Sequence, residues 1–417
     1  ANNVSANGNA SGAGNGINLA GNVSGGQWHG DAAGGTGVNV TGNSVLTNVS
    51  LSGTTEYGTG VNVPGSLTSE GTTTVTGNAT GNGTGAAVSG TLNGDIAGSS
   101  ASGTGAAVNG TINGTVNGTS TSGTGAVVSD GTDLTHGSVT GTTNGPGDGV
   151  NLSGHVTGGV VTGHADNGAG VNISGNSTLT NVSVHGSTVH GTGVDVNGNL
   201  TNTGNTDVSG HASAGGTGVH IHQGNNVTGG SLSGTSVSGP GVVIDGDNTL
   251  SNTTVNGGSG SNSGLVLNGN VNGTGSVLSG QSGSGDGVNL NGTMTGGSLN
   301  AHSGSGIGLH ITGDSWLKDV ETTYDSDTGV PLHIDGLLSF TGGTLNGVTQ
   351  GDQTAERHLL WLLQPAREQT SGPEQLMRMA GWQARDVPVG VDVCTDSGES
   401  SSCRHLDAGM RNRPSHP

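Results

Sequence analysis

Aromatic and charged side chains are scarce in this sequence. Aromatic residues make up 2% of the chain, charged residues 9% and hydrophobic residues 28%, whereas an ordinary globular domain is about 45–50% apolar. This scarcity excludes a compact core of Leu and Phe. A chain of such composition either stays disordered or folds as a repetitive array, in which each layer needs few apolar residues.

Basic residues are nearly absent from the first 350 positions, where Lys318 is the single Lys or Arg. The net charge of −20 argues against binding to nucleic acid and to anionic membrane surfaces. No stretch is long and apolar enough to span a bilayer. The chain starts at Ala1 within the repeat pattern and without a signal peptide, so we interpret it as a fragment or mature piece of an exported protein.

Glycine is abundant, with 89 residues, and much of it belongs to a recurring phrase. The phrase reads Gly-x-Gly followed by apolar-x-apolar, as in residues 35–40 and 58–63. We interpret its first glycine as replaced at Asn262 and Asp327. The second glycine, here called the marker, recurs at a mean spacing of about 22 residues, at positions 16, 37, 60, 85, 105, 125, 149, 170, 193, 218, 241, 264, 287, 308 and 329.

A longer period is superimposed on this repeat. The markers at 16, 37, 60 and 85 recur at 149, 170, 193 and 218, each displaced by 133 residues. Residues 42–50 match residues 175–183, and a third, diverged copy lies at 313–320. The array therefore arose by duplication of a block that contains several repeats.

Apolar and polar residues alternate within each repeat, as strands require, for example in 171–173 and 179–184. Gly and Asn, which tolerate the left-handed backbone of tight corners, separate these stretches. The sequence thus predicts an all-β fold over residues 1–350, a right-handed parallel β-helix of about fifteen coils that behaves as a monomeric rod. Disorder is the alternative, but apolar residues that stay in phase through every repeat weigh against it.

Chemistry-bearing residues form no motif that predicts a cofactor, a metal site or catalysis. His220-Ile221-His222 places two imidazoles on one side of a strand, where they could share a metal. However, His220 and His310 both follow a marker by two residues, where other repeats have Asn. This equivalence favours an outward column of interchangeable polar residues. β-Helix polysaccharide enzymes need clustered carboxylates, or carboxylates with Arg or Lys, in a cleft. The array has almost no basic residues and no local acidic cluster apart from Asp325 and Asp327, so the protein is predicted not to be an enzyme.

The composition changes at residue 351, which predicts a separate tail over 351–417. All seven Arg lie there, and so do Cys394 and Cys403. Two short helices are expected, at 355–363 and from Pro373 to Met379, of which one could cover the open last coil. The cysteine pair favours a small disulfide loop over a metal site. An unrelated extension is the alternative interpretation of this tail.

The repeat phrases resemble those of the two-partner-secretion exoproteins, the filamentous haemagglutinin-like and high-molecular-weight adhesins, over roughly residues 1–350. The resemblance rests on the Gly-Thr-Gly-Val-Asn-Val and Gly-Asn-Ser-x-Leu-Thr-Asn-Val-Ser phrases in block duplications. It implies a right-handed β-helix, export through an outer-membrane secretion partner, location in the medium or at the bacterial surface, and binding to a host-cell receptor or glycan. Some members are tethered by a C-terminal disulfide loop, and Cys394 and Cys403 lie where such a loop would.

Some members of this family are glycosylated at Asn-x-Ser/Thr triplets, which gives weight to the triplets found here. The candidate acceptors are Asn48, Asn78, Asn109, Asn113, Asn117, Asn172, Asn181, Asn199, Asn226, Asn252 and Asn272. The sequence therefore predicts an adhesin segment. A structural spacer of a longer exoprotein is the first alternative, and a carbohydrate-active β-helix enzyme is the second.

Overall fold

A computed structural model describes residues 3–348, 391–396 and 401–406. The chain forms an all-β parallel solenoid of about fifteen turns, with successive turns about 23 residues apart and no helix in the described part. No described helix therefore has the length and apolarity needed to cross a membrane. The predicted fold class is confirmed; its handedness stays a prediction. The chain divides into two compact units, Ala1–Ser236 (unit 1) and Val237–Pro417 (unit 2).

Each turn contributes strands to three parallel ladders. A marker strand carries the Gly-apolar-x-apolar phrase, a middle strand follows it, and a glycine strand completes the turn. In unit 1 the marker strands are Ile17–Ala20, Thr36–Thr41, Thr59–Val63, Thr84–Val88, Ala106–Val108, Ala126–Val128, Thr192–Asn197 and Thr217–Ile221. The middle strands there are Val23–Ser24, Asn43–Thr47, Ser66–Glu70, Thr91–Asn93, Thr111–Ile112, Thr132–Asp133, Leu200–Thr203 and Asn226–Thr228.

Some strands run through both ladders without a break. These are Val150–Thr157 and Val171–Thr180 in unit 1, and Leu265–Asn272 and Val288–Thr295 in unit 2. The remaining marker strands of unit 2 are Val242–Asp245, Ile307–Ile311 and Val330–Ile334, and its remaining middle strands are Asn248–Ser251, Ser315–Lys318 and Leu338–Thr341.

The glycine strands form the third ladder. In unit 1 they are Ala6–Ala10, Gln27–Ala32, Ser50–Thr55, Thr74–Ala79, Ile96–Ser100, Thr115–Ser120, Ser138–Thr143, Val160–Ala165, Ser183–Thr188, Asp207–Ala212 and Ser231–Ser236. In unit 2 they are Thr254–Ser259, Val277–Ser282, Ser298–Ser303, Glu321–Ser326 and Thr344–Val348.

The core consists of apolar columns that point inward from all three ladders. In one turn Val61 and Val63 come from the marker strand, Leu67 from the middle strand and Val75 from the glycine strand, and all four are buried. Each residue stacks on its equivalent in the next turn, as Val61 does on Ala86. Because the neighbouring turns cover each other's apolar residues, a few small side chains per turn suffice to exclude water.

Two columns of glycine face each other inside the solenoid. Gly118 lies in the middle of a glycine strand, and a Cβ added there would lie 2.2 Å from the carbonyl oxygen of Gly125, a marker. A Cβ on Gly125 would in turn lie 2.2 Å from the backbone nitrogen of Thr142. The markers do not adopt positive φ. They are therefore glycine because backbone packs directly on backbone, and not because of a left-handed corner.

Left-handed backbone does occur, but at other positions. Asn48 and Asn181, which are 133 residues apart, have φ of 56° and 55°, and Asp319 in the third copy of the phrase has φ of 55°. The Oδ1 atom of Asn48 accepts a hydrogen bond from the Thr72 backbone, and that of Asn181 accepts one from the Asn205 backbone. The three copies of the phrase thus form equivalent corners.

The last predicted marker is wrong by two residues. Gly308 lies between Ile307 and Leu309, which pair with Val330 and Leu332, so Pro331 occupies the next marker position and Gly329 does not. Gly329 is instead the first glycine of the phrase, and Asp327 is not its replacement. The sequence did not reveal this error, because Gly329 lies 21 residues after Gly308 and Pro331 lies 23 residues after it, and both distances fit the repeat.

A buried Ser or Thr closes the corner after more than half of the glycine strands, whereas others end in Ala, as at Ala79 and Ala165. The Ser120 hydroxyl donates to the Gly103 carbonyl of the previous turn at 2.9 Å and accepts from the Gly123 backbone N–H at 3.0 Å. Ser326 makes the same two bonds with Gly306 and Gly329. We call this arrangement the corner clamp. It satisfies backbone groups that the corner would otherwise leave buried without partners.

The described part of the tail forms two strands, Val391–Asp396 and Ser401–Leu406, which pair antiparallel. The first of them also pairs with the last middle strand, where Leu338 faces Val393. The register places Cys394 opposite Cys403, and their disulfide stays a prediction. Both expected helices lie outside the described residues.

Candidate functional site

The residue two positions after each marker forms an outward column, here called the marker-side column. Asn18, Asn39 and Asn62 form a chain of amide hydrogen bonds along it, at 3.3 and 3.0 Å. His220 stacks on Asp195, and His310 stacks on Asn289 in the same column. The prediction that these histidines replace asparagines in an outward column is confirmed.

The unit 1 cluster comprises Asp195, His220 and His222. The Oδ1 atom of Asp195 lies 2.8 Å from Nε2 of His222 and 3.6 Å from Nδ1 of His220. The two imidazole rings are 4.0 Å apart, and all three side chains are partly buried. The two imidazoles singled out in the sequence do lie together, and the previous turn adds a carboxylate that sequence reasoning missed. The missed signal is that Asp195 also follows a marker by two residues.

The unit 2 cluster comprises Asp286, His310, His333 and Asp335. The Asp286 carboxylate lies 2.9 Å from Nδ1 of His310, and Asp335 lies 2.9 Å from Nε2 of the same ring. The other oxygen of Asp335 lies 2.9 Å from Nε2 of His333. His310 is 17% exposed and Asp335 is 51% exposed, so the cluster opens to solvent on the Asp335 side.

Protonation of the unit 2 cluster is shifted by these contacts. Burial lowers the pKa of His310, but its hydrogen bonds to Asp335 and Asp286 outweigh burial and raise that pKa above its ordinary value. The hydrogen bond from His310 holds the pKa of Asp335 below its usual range. His310 therefore favours the imidazolium form, in which both ring nitrogens donate to carboxylates.

Histidines on the glycine strands have simpler surroundings. His29, His164 and His185 each place Nδ1 within 3.0 Å of the hydroxyl of the serine one turn further along the ladder. His211 does the same with Thr235 at 2.9 Å. These residues behave as members of outward polar columns.

An open groove crosses the glycine ladder in unit 1, where two successive turns are the shortest. The lining includes Asn78, Ser99, Thr119, Thr121 and Asn144. All five are neutral hydrogen-bonding residues. No aromatic or charged side chain lines the groove, so it offers an amide- and hydroxyl-rich surface to a neutral polar ligand.

The candidate glycosylation acceptors differ in accessibility. Asn172 and Asn199 are partly buried, and both side chains are engaged: the Nδ2 group of Asn172 donates to Asp148, and that of Asn199 donates to Asn176. The others are exposed: Asn48, Asn78, Asn109, Asn113, Asn117, Asn181, Asn226, Asn252 and Asn272. Their modification stays a prediction.

No protein-family model matches the chain, and no curated protein sequence matches it significantly. The resemblance to haemagglutinin-like exoproteins therefore stands on the repeat phrases and the solenoid class.

Proposed function

We propose that this chain is a solenoid segment of an exported bacterial surface adhesin, which leaves the cell through an outer-membrane partner and binds a host glycan or receptor. The observation that supports this most directly is the solenoid surface itself. Its outward columns contain runs of neutral hydrogen-bonding side chains in successive turns, as in the chain from Asn18 through Asn39 to Asn62. Such runs suit the repeating hydroxyls of a glycan, since successive turns within a run offer an amide at the same position.

The groove of unit 1 is the proposed contact surface for the glycan. Ser99 donates to Asn78 at 2.8 Å, which fixes both side chains at the groove wall. Thr119, Thr121 and Asn144 are exposed, so their hydroxyl and amide groups remain accessible for recognition. A preformed polar wall reduces the entropic cost of binding a flexible ligand.

Binding of the purified chain to a glycan array and to epithelial cells tests this proposal. Thr121→Lys places a long charged side chain in the groove and is expected to weaken glycan binding at least about tenfold. Thr228→Lys adds the same charge to an exposed middle strand and serves as the matched control. If the parent chain binds neither glycans nor cells, the segment is a structural spacer and not an adhesive one.

The enzyme alternative predicts a different result. A carbohydrate-active β-helix would shorten acidic polysaccharides during incubation, which reducing-end assays detect. Export is tested separately, by antibody labelling of intact bacteria that express the full-length protein; a signal that appears only after cell lysis would contradict a surface location.

A further inference from the structure

The unit 2 cluster brings two imidazoles and two carboxylates together around His310. His310 lies between two carboxylates, with Asp286 at Nδ1 and Asp335 at Nε2, both at 2.9 Å. A neutral imidazole carries a single N–H. When that proton points to Asp286, the lone pair on Nε2 points at the Asp335 carboxylate, and two electron-rich atoms are then in contact. A second proton or a metal ion at this position removes the conflict.

We propose that His310, His333 and Asp335 bind one divalent transition-metal ion of the Zn²⁺ class, with Asp286 orienting His310. The nitrogen ligands are Nε2 of His310 and Nε2 of His333, and the third ligand is the Asp335 carboxylate. Donor atoms of these three residues all lie within 4.8 Å of one another. Tetrahedral Zn²⁺ holds its nitrogen and oxygen ligands at about 2.0–2.1 Å, which places the donors roughly 3.3 Å apart.

The surroundings of the ligands match what a zinc site requires. Asp286 accepts the Nδ1 proton of His310 and so leaves Nε2 as the coordinating atom, the arrangement in which an outer carboxylate orients a metal-bound histidine. Two histidines and one carboxylate leave the fourth position to water, and the exposure of Asp335 keeps that position open. A nitrogen that coordinates a metal cannot hold a proton, so metal binding releases any proton on Nε2 of His310 into the solvent.

The fold explains why these residues meet. His310 and His333 occupy the same column in adjacent turns, because Pro331 takes the marker position that Gly308 holds one turn earlier. Asp335 follows His333 by two residues and therefore lies on the same face of the chain. In the unit 1 cluster the marker-side column holds Asp195 followed by His220, whereas in unit 2 it holds His310 followed by His333. In each unit the third donor follows the second column residue by two positions, as His222 and Asp335 do.

Isothermal titration of the full chain with Zn²⁺ tests the proposal. The parent for this experiment carries His220→Ala and His222→Ala, so that the unit 1 cluster contributes no binding. His333→Ala and, separately, Asp335→Asn are expected to reduce the number of bound Zn²⁺ ions by one. Asp286→Asn is expected to keep the ion but weaken its binding about 10- to 100-fold, because it disturbs the orientation of a ligand and does not remove one.

The matched control is His302→Ala. His302 also pairs with an aspartate, Asp325 at 2.9 Å, but it lies on a glycine strand and belongs to no three-ligand group among the described residues. It should leave the Zn²⁺ stoichiometry unchanged, while circular dichroism confirms that each variant is folded. Equal Zn²⁺ binding by the parent, His333→Ala and Asp335→Asn would overturn the proposal. A parent that binds no Zn²⁺ would overturn it as well.

Discussion

Units 1 and 2 are built from the same turn but fill the glycine column differently. In unit 1 glycine pairs with glycine along this column, as Gly98 does with Gly118 and Gly118 with Gly141. In unit 2 the column changes from Gly280 to Ala301 and then to Tyr324. The marker opposite Ala301 is still a glycine, Gly308, whereas the marker opposite Tyr324 is replaced by Pro331. The larger side chain thus lies where the opposite wall also changes.

The largest effect is expected when a side chain is added to the intact column of unit 1. Gly118→Ala would place its Cβ 2.2 Å from the Gly125 carbonyl oxygen and 2.7 Å from the Ala106 nitrogen. These two atoms are hydrogen-bonded to each other between turns at 3.0 Å, so we expect a loss of about 3 kcal/mol or more of unfolding free energy in urea titrations. Gly12→Ala, where nothing lies within 4 Å, is the control. Equal stability of the two variants would contradict the backbone-on-backbone packing.

The reverse change in unit 2 should also destabilise, by somewhat less. Tyr324 is 5% exposed, and its ring lies against Gly347. Tyr324→Gly gives this position the glycine that unit 1 has in the same column, but it leaves a void. We expect the free energy of unfolding in urea to fall by about 3 kcal/mol. Tyr57→Gly, which removes a 62% exposed ring, is the matched control. A stabilising effect of Tyr324→Gly would show that the ring is not part of the packing.

The corner clamp is common to both units, so its loss should cost the same in each. Ser120→Ala and Ser326→Ala both leave a buried backbone N–H without its acceptor, at about 1–3 kcal/mol each. Ser122→Ala removes an exposed hydroxyl that donates to Ala101 at 3.3 Å and should change stability little. Thermal and urea unfolding of the three variants measure the difference; a large gap between Ser120→Ala and Ser326→Ala would mean that the clamp differs between units.

The smallest expected effect is an acid dependence in unit 1. Hydrogen bonds from the Thr135 hydroxyl and backbone N–H hold the pKa of Asp133 below its ordinary 3.8. Its stabilising contribution is therefore present above pH 3.8 and is lost as the pH falls through the lower pKa of the folded state. Asp133→Asn should remove about 0.5 kcal/mol or less at neutral pH, since the site is exposed, and flatten the stability curve below pH 4. If Asp133→Asn loses stability below pH 4 just as the parent does, Asp133 is not the source of the acid dependence.

Several parts of the fold could be predicted because they follow from local residue patterns. The marker spacing predicts the turn length, and the alternation around Val171 and Ile173 predicts inward strands. The fully buried positions of both residues confirm that interpretation. The glycine column was missed, although a glycine precedes most markers by seven or eight residues, as Gly118 precedes Gly125. Composition alone suggested flexible corners for these glycines, and it does not show which backbones will touch.

The candidate metal cluster was beyond prediction for a related reason. Residues 286, 310 and 333 are separated by more than 20 positions each, and their contact depends on a register in which Pro331, and not Gly329, occupies the marker position. A repeat spacing accurate to one or two residues does not determine which side chains stack, because a shift of one residue along a strand turns a side chain to the other face.

The sequence by itself determined that this chain builds a β-solenoid from short turns, since apolar residues in constant phase and too few for a globular core leave no other way to bury them. The tertiary structure alone decided where glycine is required and which polar residues meet. Both depend on the register between turns, which is determined by backbone packing across the interior and by corner hydrogen bonds between residues about 20 positions apart, as between Ser120 and Gly103.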